Sequence, residues 1–455
     1  MFARLILAMT VFAAVASAYR MLPANNPTIC DPTVKQYSGL FEIDPATQKK
    51  YFYWAFESRS KPATDPLVLW MTGGPGCSSE VALFSENGPC KVDAAGDNTF
   101  RNNFSWNANA NLIYIDQPAG VGFSTASIYG YDSNEAGVAI DMYAFLQAFF
   151  ADHPEWLNNE FYITGESYGG HYVPAVAHAV YVGNKNASAI RINLKGVGIG
   201  NGLVDPQVQY GYYAQLAYNW SIQKTGKPVV SLASYQSMTS AIPGCLAAIT
   251  KCNVENNTLD CIAAQELCNL SEMIPYQLTG QNPYDIRIPC AVPPLCYDMS
   301  NIGKYLNTQS VQAALGVKGT WQSCNQAINI MFALGGDWMR NFQTDLPDLL
   351  ASGVRVLVYA GDCDFICNWL GNKAWTLAMA WPGQAAFNAA ADTPYMQNGK
   401  EVGKVRTAQG FTFLQVYDAI RMLRSGLVCY FVGRGISGHL PRIELGNPRP
   451  RDCVV

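Results

Sequence analysis

Phe161-Tyr162-Ile163-Thr164-Gly165-Glu166-Ser167-Tyr168-Gly169-Gly170 carries an apolar, aromatic-rich run straight into Gly-x-Ser-x-Gly, and a helix-compatible run, His171 to Val180, follows. Strand, sharp turn and helix form the context that a nucleophile elbow requires. Such a turn strains the backbone at Ser167, and glycines at 165 and 169 leave room for the helix to pack close to the strand. The serine oxygen is thereby lifted above the sheet, and the N-terminus of the following helix offers N–H groups to an oxyanion. Gly-x-Ser-x-Gly is a weak pattern by itself; its weight comes from what stands before and after it.

Strand-like and helix-like segments alternate around the elbow. Pro66 to Met71 is a continuous apolar run of buried-strand type. It stops at Thr72-Gly73-Gly74-Pro75-Gly76-Cys77-Ser78-Ser79, a glycine-rich turn where backbone can approach a ligand. Asn111 to Asp116 reads as another buried strand, Ala136 to Phe150 as a helix, and Ile192 to Gly200 as the strand after the elbow. Val354 to Ala360 is a later strand ending at Gly361-Asp362-Cys363-Asp364, and Tyr37 to Phe41 with Tyr51 to Phe56 resemble paired strands near the start. This alternation predicts an α/β fold with a mainly parallel central sheet flanked by helices. Between Asp205 and Gln322 tyrosines, cysteines and prolines replace the alternation, and the cysteine cluster there sits in a polar, turn-rich segment. That region reads as a disulfide-stapled insertion capping the site. The expected division is a signal peptide at 1–18, core at 19–204, cap at 205–322, core again at 323–419, and an atypical tail at 420–455.

The chain has 455 residues, 49% hydrophobic and 14% charged, which is ample for a large core with an inserted subdomain. A net charge of -4 argues against a nucleic-acid partner. Arg4, the apolar run Leu5 to Val15 and Ala16-Ser17-Ala18 have the layout of a cleavable signal peptide. No other run approaches the roughly 18 apolar residues of a membrane span. Fourteen cysteines and the sequons at Asn103, Asn186, Asn219, Asn256 and Asn269 agree with the secretory pathway, and so with an extracellular or vacuolar destination. Cys245, Cys252, Cys261 and Cys268, and Cys290 with Cys296, read as local staples. Zinc is disfavoured, because the spacings are seven, nine and seven and no histidine lies nearby. No metal or cofactor is expected.

In the α/β-hydrolase arrangement the triad runs nucleophile, acid, histidine along the chain. After Ser167 the acid belongs in a loop following a late strand, where Asp364 stands; Asp362 competes, with turn capping as its bland role. Of four histidines, His153 precedes the nucleophile and His171 and His178 lie on the elbow helix, where packing or solvation accounts for them. His439 alone follows Asp364 and is the candidate base by elimination. Gly74 N–H and Tyr168 N–H are the candidate oxyanion donors; a tight turn stapled by Cys77 is the structural alternative.

Gly73 to Ser79, Asp116-Gln117-Pro118, Gly165 to Pro174, Gly200-Asn201-Gly202-Leu203 and Gly361 to Trp369 together resemble the serine carboxypeptidases, over roughly residues 29–419. The resemblance implies an α/β-hydrolase fold that releases C-terminal residues from peptides and proteins, best in mild acid. It implies that Glu166 and Glu86 share a proton and hydrogen-bond the substrate's terminal carboxylate, with Trp70 beneath and Thr72 and Gly73 beside. It assigns Tyr168, Leu203, Tyr210, Tyr213, Trp338 and Ile366 to the apolar pocket for the penultimate side chain, and Cys367 to an unpaired thiol. It implies the pairs Cys77–Cys324, Cys245–Cys268, Cys252–Cys261 and Cys290–Cys296; a further pair, Cys30–Cys90, is left open.

Two departures from the family pattern stand out. Thr72 replaces an asparagine, which leaves a shorter side chain with one hydrogen to donate. After Ala419 the family continues directly into its histidine, whereas Ile420 to Val455 carries six Arg and no Lys, with Gly438-His439-Leu440 arriving late. The tail is therefore expected to be retained-intron or shifted-frame sequence, not the native end of a working enzyme; the alternative is a genuine divergent terminus in which His439 loops back to the serine. Two other readings stand beside the carboxypeptidase: a catalytically impaired relative that binds peptides, and an acyltransferase. The expected partners are peptide and protein C-termini, with a proteinaceous inhibitor as a further class.

Overall fold

A computed structural model describes residues 20–22, 25–293, 295–397 and 399–420. The signal-peptide segment, His439, Cys429 and Cys453 lie outside the described residues, as does the tail beyond Ile420. The strands are β1 (Arg20–Met21), β2 (Gln36–Asp44), β3 (Lys49–Phe56), β4 (Leu67–Met71), β5 (Cys90–Val92), β6 (Thr99–Arg101), β7 (Asn111–Asp116) and β8 (Phe161–Ser167). They continue with β9 (Leu194–Gly202), β10 (Gln281–Asn282), β11 (Asp285–Pro289), β12 (Arg355–Gly361), β13 (Thr393–Gln397), β14 (Lys400–Ala408) and β15 (Phe411–Val416).

An 11-stranded sheet runs in the order β1-β2-β3-β7-β4-β8-β9-β12-β15-β14-β13. The middle of it, β7-β4-β8-β9-β12-β15, is parallel throughout, and antiparallel strands close both flanks. Parallel strands covered on both faces need apolar residues on both faces, and β4 shows why Leu-Val-Leu-Trp-Met suits that place. Leu67, Leu69 and Met71 enter one core beside Val138, Phe145, Val173 and Val176, from the helices Glu135–Asp152 and Gly169–Gly183. Val68 and Trp70 enter the other, with Phe84, Leu306 and Leu315. The period of two distributes one strand between two cores.

Between β9 and β12 the chain leaves the sheet, and the segment expected to be turn-rich is corrected by the structure: it is helical. Leu232–Glu255 and Thr258–Cys268 are two helices joined at Asn256, which is left-handed at φ 51°. Asn257 caps the second by accepting from the N–H groups of Leu259 and Asp260. Pro243 lies inside the first helix, and the polar residues form its wet face. The seven-residue cysteine spacings are two helical turns, so Cys245 and Cys252 share one face, as do Cys261 and Cys268. The bridges Cys245–Cys268 and Cys252–Cys261 then staple an antiparallel pair. Cys77–Cys324, Cys290–Cys296 and Cys30–Cys90 complete the disulfides among the described residues. No described helix is long and apolar enough to cross a membrane.

Candidate active site

β8 delivers the candidate nucleophile at its C-terminal end. Ser167 has φ 59°, in the left-handed region that a non-glycine residue adopts at a cost of about 1–3 kcal/mol, and it is buried to 8% exposure. The helix Gly169–Gly183 begins two residues later, so the Tyr168 N–H sits at a helix start. Close packing requires the glycine before the serine: a Cβ on Gly165 would come within 2.5 Å of Met71 O. The backbone of Ser167 is tied in turn to the end of β9, where Leu203 N–H donates to Ser167 O at 2.9 Å.

β4 brings the glycine-rich turn against this elbow. A Cβ on Gly73 would fall 2.4 Å from Tyr168 N, so the turn and the elbow N–H lie in direct contact. Gly74 has φ 120°, a conformation that suits glycine. Cys77–Cys324 and the bond from Asn325 N–H to Gly76 O, 2.8 Å, hold the turn from the far side. Inside it, Trp70 Nε1–H donates to Thr72 Oγ1 at 3.0 Å, and Ser79 Oγ accepts from Thr72 N–H at 3.2 Å. The threonine is therefore a working member of the turn. Glu86, which closes the short helix Glu80–Ser85, and Glu166 are both buried. The Tyr359 phenol is pushed well above its ordinary range by burial first and then by the charges of Glu166 and Glu86.

β12 ends at the two aspartates. Asp362 is spent on structure: its carboxylate pairs with Lys224 Nζ at 2.8 Å, and its Oδ1 accepts from Asp418 N–H at 2.9 Å. Asp364 is fully buried, and its Oδ1 accepts from Cys367 N–H at 2.7 Å. Sequence reasoning gave no role to Asn201, yet this residue clamps the acid-bearing loop. Its Nδ2 donates to Gly361 O and Cys367 O, both at 3.1 Å, and its Oδ1 accepts from Gly361 N–H at 2.8 Å. The signal was present as an Asn between two glycines, but its partners lie 160 and 166 residues away.

The remaining candidates gather beside the elbow. Tyr210 and Tyr213 meet edge to face at 4.9 Å. Trp338 Nε1–H donates to Tyr210 Oη at 3.2 Å, and the Tyr213 hydroxyl donates to Ile366 O at 2.6 Å. The Tyr168 ring packs 5.1 Å from Trp338, and Leu203 is buried nearby in the same core. Cys367 and Cys363 are buried and form no disulfide among the described residues, and burial pushes Cys363 up to about 12. The other histidines are packing groups: His171 Nδ1–H donates to Leu203 O at 2.6 Å with burial lowering it to about 4, and His153 packs against Phe149 and Trp156. His178 is more exposed and lies 3.3 Å from Asp348.

A family model described as serine carboxypeptidase matches residues 26–423. Similar proteins include a serine carboxypeptidase-like protein of Oryza sativa subsp. japonica, 44% identical over 396 residues, covering 85% of this chain and 88% of the relative. Carboxypeptidase Y of Komagataella phaffii is 43% identical over 409 residues, covering 89% of this chain and 76% of the relative. Among solved structures, a prohormone-processing carboxypeptidase from Saccharomyces cerevisiae aligns with a TM-score of 0.77 at 24% identity, over 88% of this chain and 93% of that one, a likeness of fold. A family match across residues 26–423 and relatives above 40% identity over most of their length show that the chain belongs to the serine carboxypeptidase family and is a serine-type carboxypeptidase.

Proposed function

We propose that Ser167 is the covalent nucleophile for release of C-terminal amino acids from peptides, with Asp364 as the triad acid. The observation that carries this reading is the left-handed serine at the end of β8, with the Gly73-Gly74 turn packed against the next N–H. Ser167 Oγ attacks the carbonyl carbon of the last peptide bond, and the Gly74 and Tyr168 N–H groups face the oxygen as it becomes negative. The C–N bond then breaks, the terminal amino acid leaves with the proton taken from the serine, and water hydrolyses the acyl-enzyme. Engagement of Asp362 by Lys224 supports Asp364 as the acid. His439, the one histidine after Asp364 in the sequence, is the proposed base.

Glu166 and Glu86, with Trp70, Thr72 and Gly73, take the substrate's free carboxylate. Two ionised carboxylates would repel it, so one holds a proton and donates. Tyr168, Leu203, Tyr210, Tyr213, Trp338, Ile366 and Cys367 line the penultimate pocket. An acceptor alcohol calls for no free-carboxylate site, so this pair favours the peptidase over an acyltransferase. The five disulfides among the described residues support an oxidising, secretory route ending outside the cell or in a vacuole. The test is a fluorophosphonate probe followed by peptide mapping. Label on Ser167, lost in Ser167→Ala, is the expected outcome, and loss of blocked-dipeptide turnover in His439→Ala assigns the base to the tail and makes the tail native. Labelling that survives Ser167→Ala removes the elbow from the mechanism, and turnover that survives His439→Ala removes that histidine.

A further inference from the structure

One residue serves the elbow and the pocket together, and a buried carboxyl stands behind it. Tyr168 contributes its N–H at the start of the elbow helix and its ring to the pocket wall. The ring is stacked on His171 at 4.4 Å, set edge-on to Phe332 at 6.0 Å and tilted against Trp338 at 5.1 Å. Its polar tip is fixed as well: the hydroxyl donates to Asp337 Oδ2 at 2.7 Å. Asp337 is 1% exposed and immediately precedes Trp338, whose own Nε1–H holds the Tyr210 hydroxyl. The second oxygen of Asp337 accepts the Glu135 N–H at 3.1 Å.

Three segments distant in sequence thus meet on one carboxyl: the elbow, the first turn of the helix Glu135–Asp152, and the loop that carries Trp338. Capping accounts for only one oxygen of Asp337: Asn134 accepts from Gly137 N–H at 3.2 Å and leaves the Glu135 N–H to Asp337 Oδ1. The bond to Tyr168 is the surplus. A buried hydrogen bond to a carboxyl is directional and shielded from competing water. Held through its backbone at the helix start and through its hydroxyl at the other end, the tyrosine ring is fixed in one orientation, with the N–H left to face a ligand. Burial raises Asp337 to about 6, with the Tyr168 hydroxyl and the Glu135 N–H acting the other way. Burial, then the charge of Asp337, holds the neighbouring Glu135 carboxyl well above its ordinary range, so the two carboxyls do not repel as a pair of full charges.

We propose that Asp337 is a positioning residue for the reaction: through the Tyr168 hydroxyl it keeps the N–H after the nucleophile in register with the pocket wall, coupling the fit of the penultimate side chain to stabilisation of the oxyanion. The inference rests on the reading of Tyr168 as oxyanion donor and pocket wall given above. Its consequence is that a substrate filling the pocket presses on the same ring that orients the oxyanion donor, so the penultimate side chain affects kcat as well as KM.

The test uses two blocked dipeptides with the same C-terminal residue and either leucine or alanine in the penultimate position. Tyr168→Phe removes the hydroxyl alone and leaves the Asp337–Glu135 contact intact. It is expected to lower kcat on both substrates by about tenfold or more, since small misplacements of reacting groups are costly, and to narrow the leucine-to-alanine preference. Asp337→Asn should do the same, and the double variant should be no worse than either single change, because both remove one interaction. Fluorophosphonate labelling of Ser167 should slow in parallel, as phosphonylation draws on the same donors. If Tyr168→Phe keeps kcat and preference within twofold of the parent, the inference falls and Asp337 is a helix-terminus partner only. Should Asp337→Asn not fold, Tyr168→Phe decides the matter. Trp338→Ala separates the layers: if it shifts the preference while Tyr168→Phe does not, only this inference fails, whereas an unchanged preference in Trp338→Ala overturns the pocket itself and the inference with it.

Discussion

Asp362 and Asp364 stand two residues apart on one loop and are both fully buried, yet they are set up for different work. Lys224 Nζ reaches Asp362, and burial, opposed by that ammonium, raises its carboxyl. Asp362→Asn leaves Lys224 with half of its pairing and disturbs the contact to Asp418 N–H. A loss of about 3 kcal/mol in urea unfolding is expected, with kcat of the surviving fold near normal. Asp364→Asn should behave in the opposite way, keeping its unfolding midpoint and losing about 10⁴ in kcat, as a triad does when its acid no longer orients the base. Equal kinetic loss in both variants would return the choice between them to open competition. A second test at this scale concerns Glu86 and Glu166. Peptidase kcat/KM should decline as pH rises, because the protonated member of the pair is lost, and Glu86→Gln with Glu166→Gln should flatten that decline. An unchanged profile in the double variant sinks the carboxylate-pair account.

The helix pair Leu232–Glu255 and Thr258–Cys268 has little core behind it for its length. Along the longer helix only Met238, Cys245, Ile249 and Cys252 are buried. A helix with so narrow an apolar seam draws little from burial, and the two bridges, closing loops of 23 and 9 residues, take over. In the chain-entropy model each contributes about 3 kcal/mol. Replacing Cys252 and Cys261 by serine should therefore loosen the pair locally. Amide exchange should quicken across residues 232–268 while β8 and β12 keep their protection. Uniform loss of protection over the whole chain would show that the pair is part of the main cooperative unit.

Across the whole molecule, buried acids set the response to pH. Burial raises Asp205 and Asp337 to about 6 and Asp141 and Glu272 to about 7, and holds Glu80 and Glu135 well above their ordinary range. Together these acids make the folded state bind more protons than the unfolded chain between about pH 4 and 7; His171, lowered to about 4 by burial, offsets only part of that excess, so stability falls as pH rises through that window. Asp31 moves the other way: burial opposes its charge, but Thr33, Asn107 and Arg59 outweigh it and hold its carboxyl below the ordinary value. Its contribution is lost only on acidification below that window. The thermal midpoint should be higher at pH 4.5 than at pH 7.5, as read by circular dichroism, and Asp141→Asn with Glu272→Gln should reduce the difference. A midpoint that rises toward neutrality would contradict the proton count.

What the residues determined unaided was whatever short-range chemistry dictates. The elbow was legible because the turn that strains Ser167 is written in five consecutive residues, Gly165 to Gly169, between an apolar run and a helix-compatible one. Buried parallel strands such as β4 and β7 were legible because continuous apolar runs have few other homes. The segment 232–268 reads as turn-rich in sequence but is helical, because its seam is narrow and polar residues outnumber the buried ones, so composition masks a helical period that the cysteine spacing holds. The tertiary structure alone decided the contacts whose energy depends on distance in space. Asn201 reaches the acid loop 160 residues on, Lys224 reaches Asp362 across 138 positions of the numbering (362 minus 224), and Tyr168 meets Asp337 at a separation of 169. Hydrogen bonds and ion pairs act over a few ångströms, so no local pattern encodes such a partner until the sheet order has brought the ends of β8, β9 and β12 side by side.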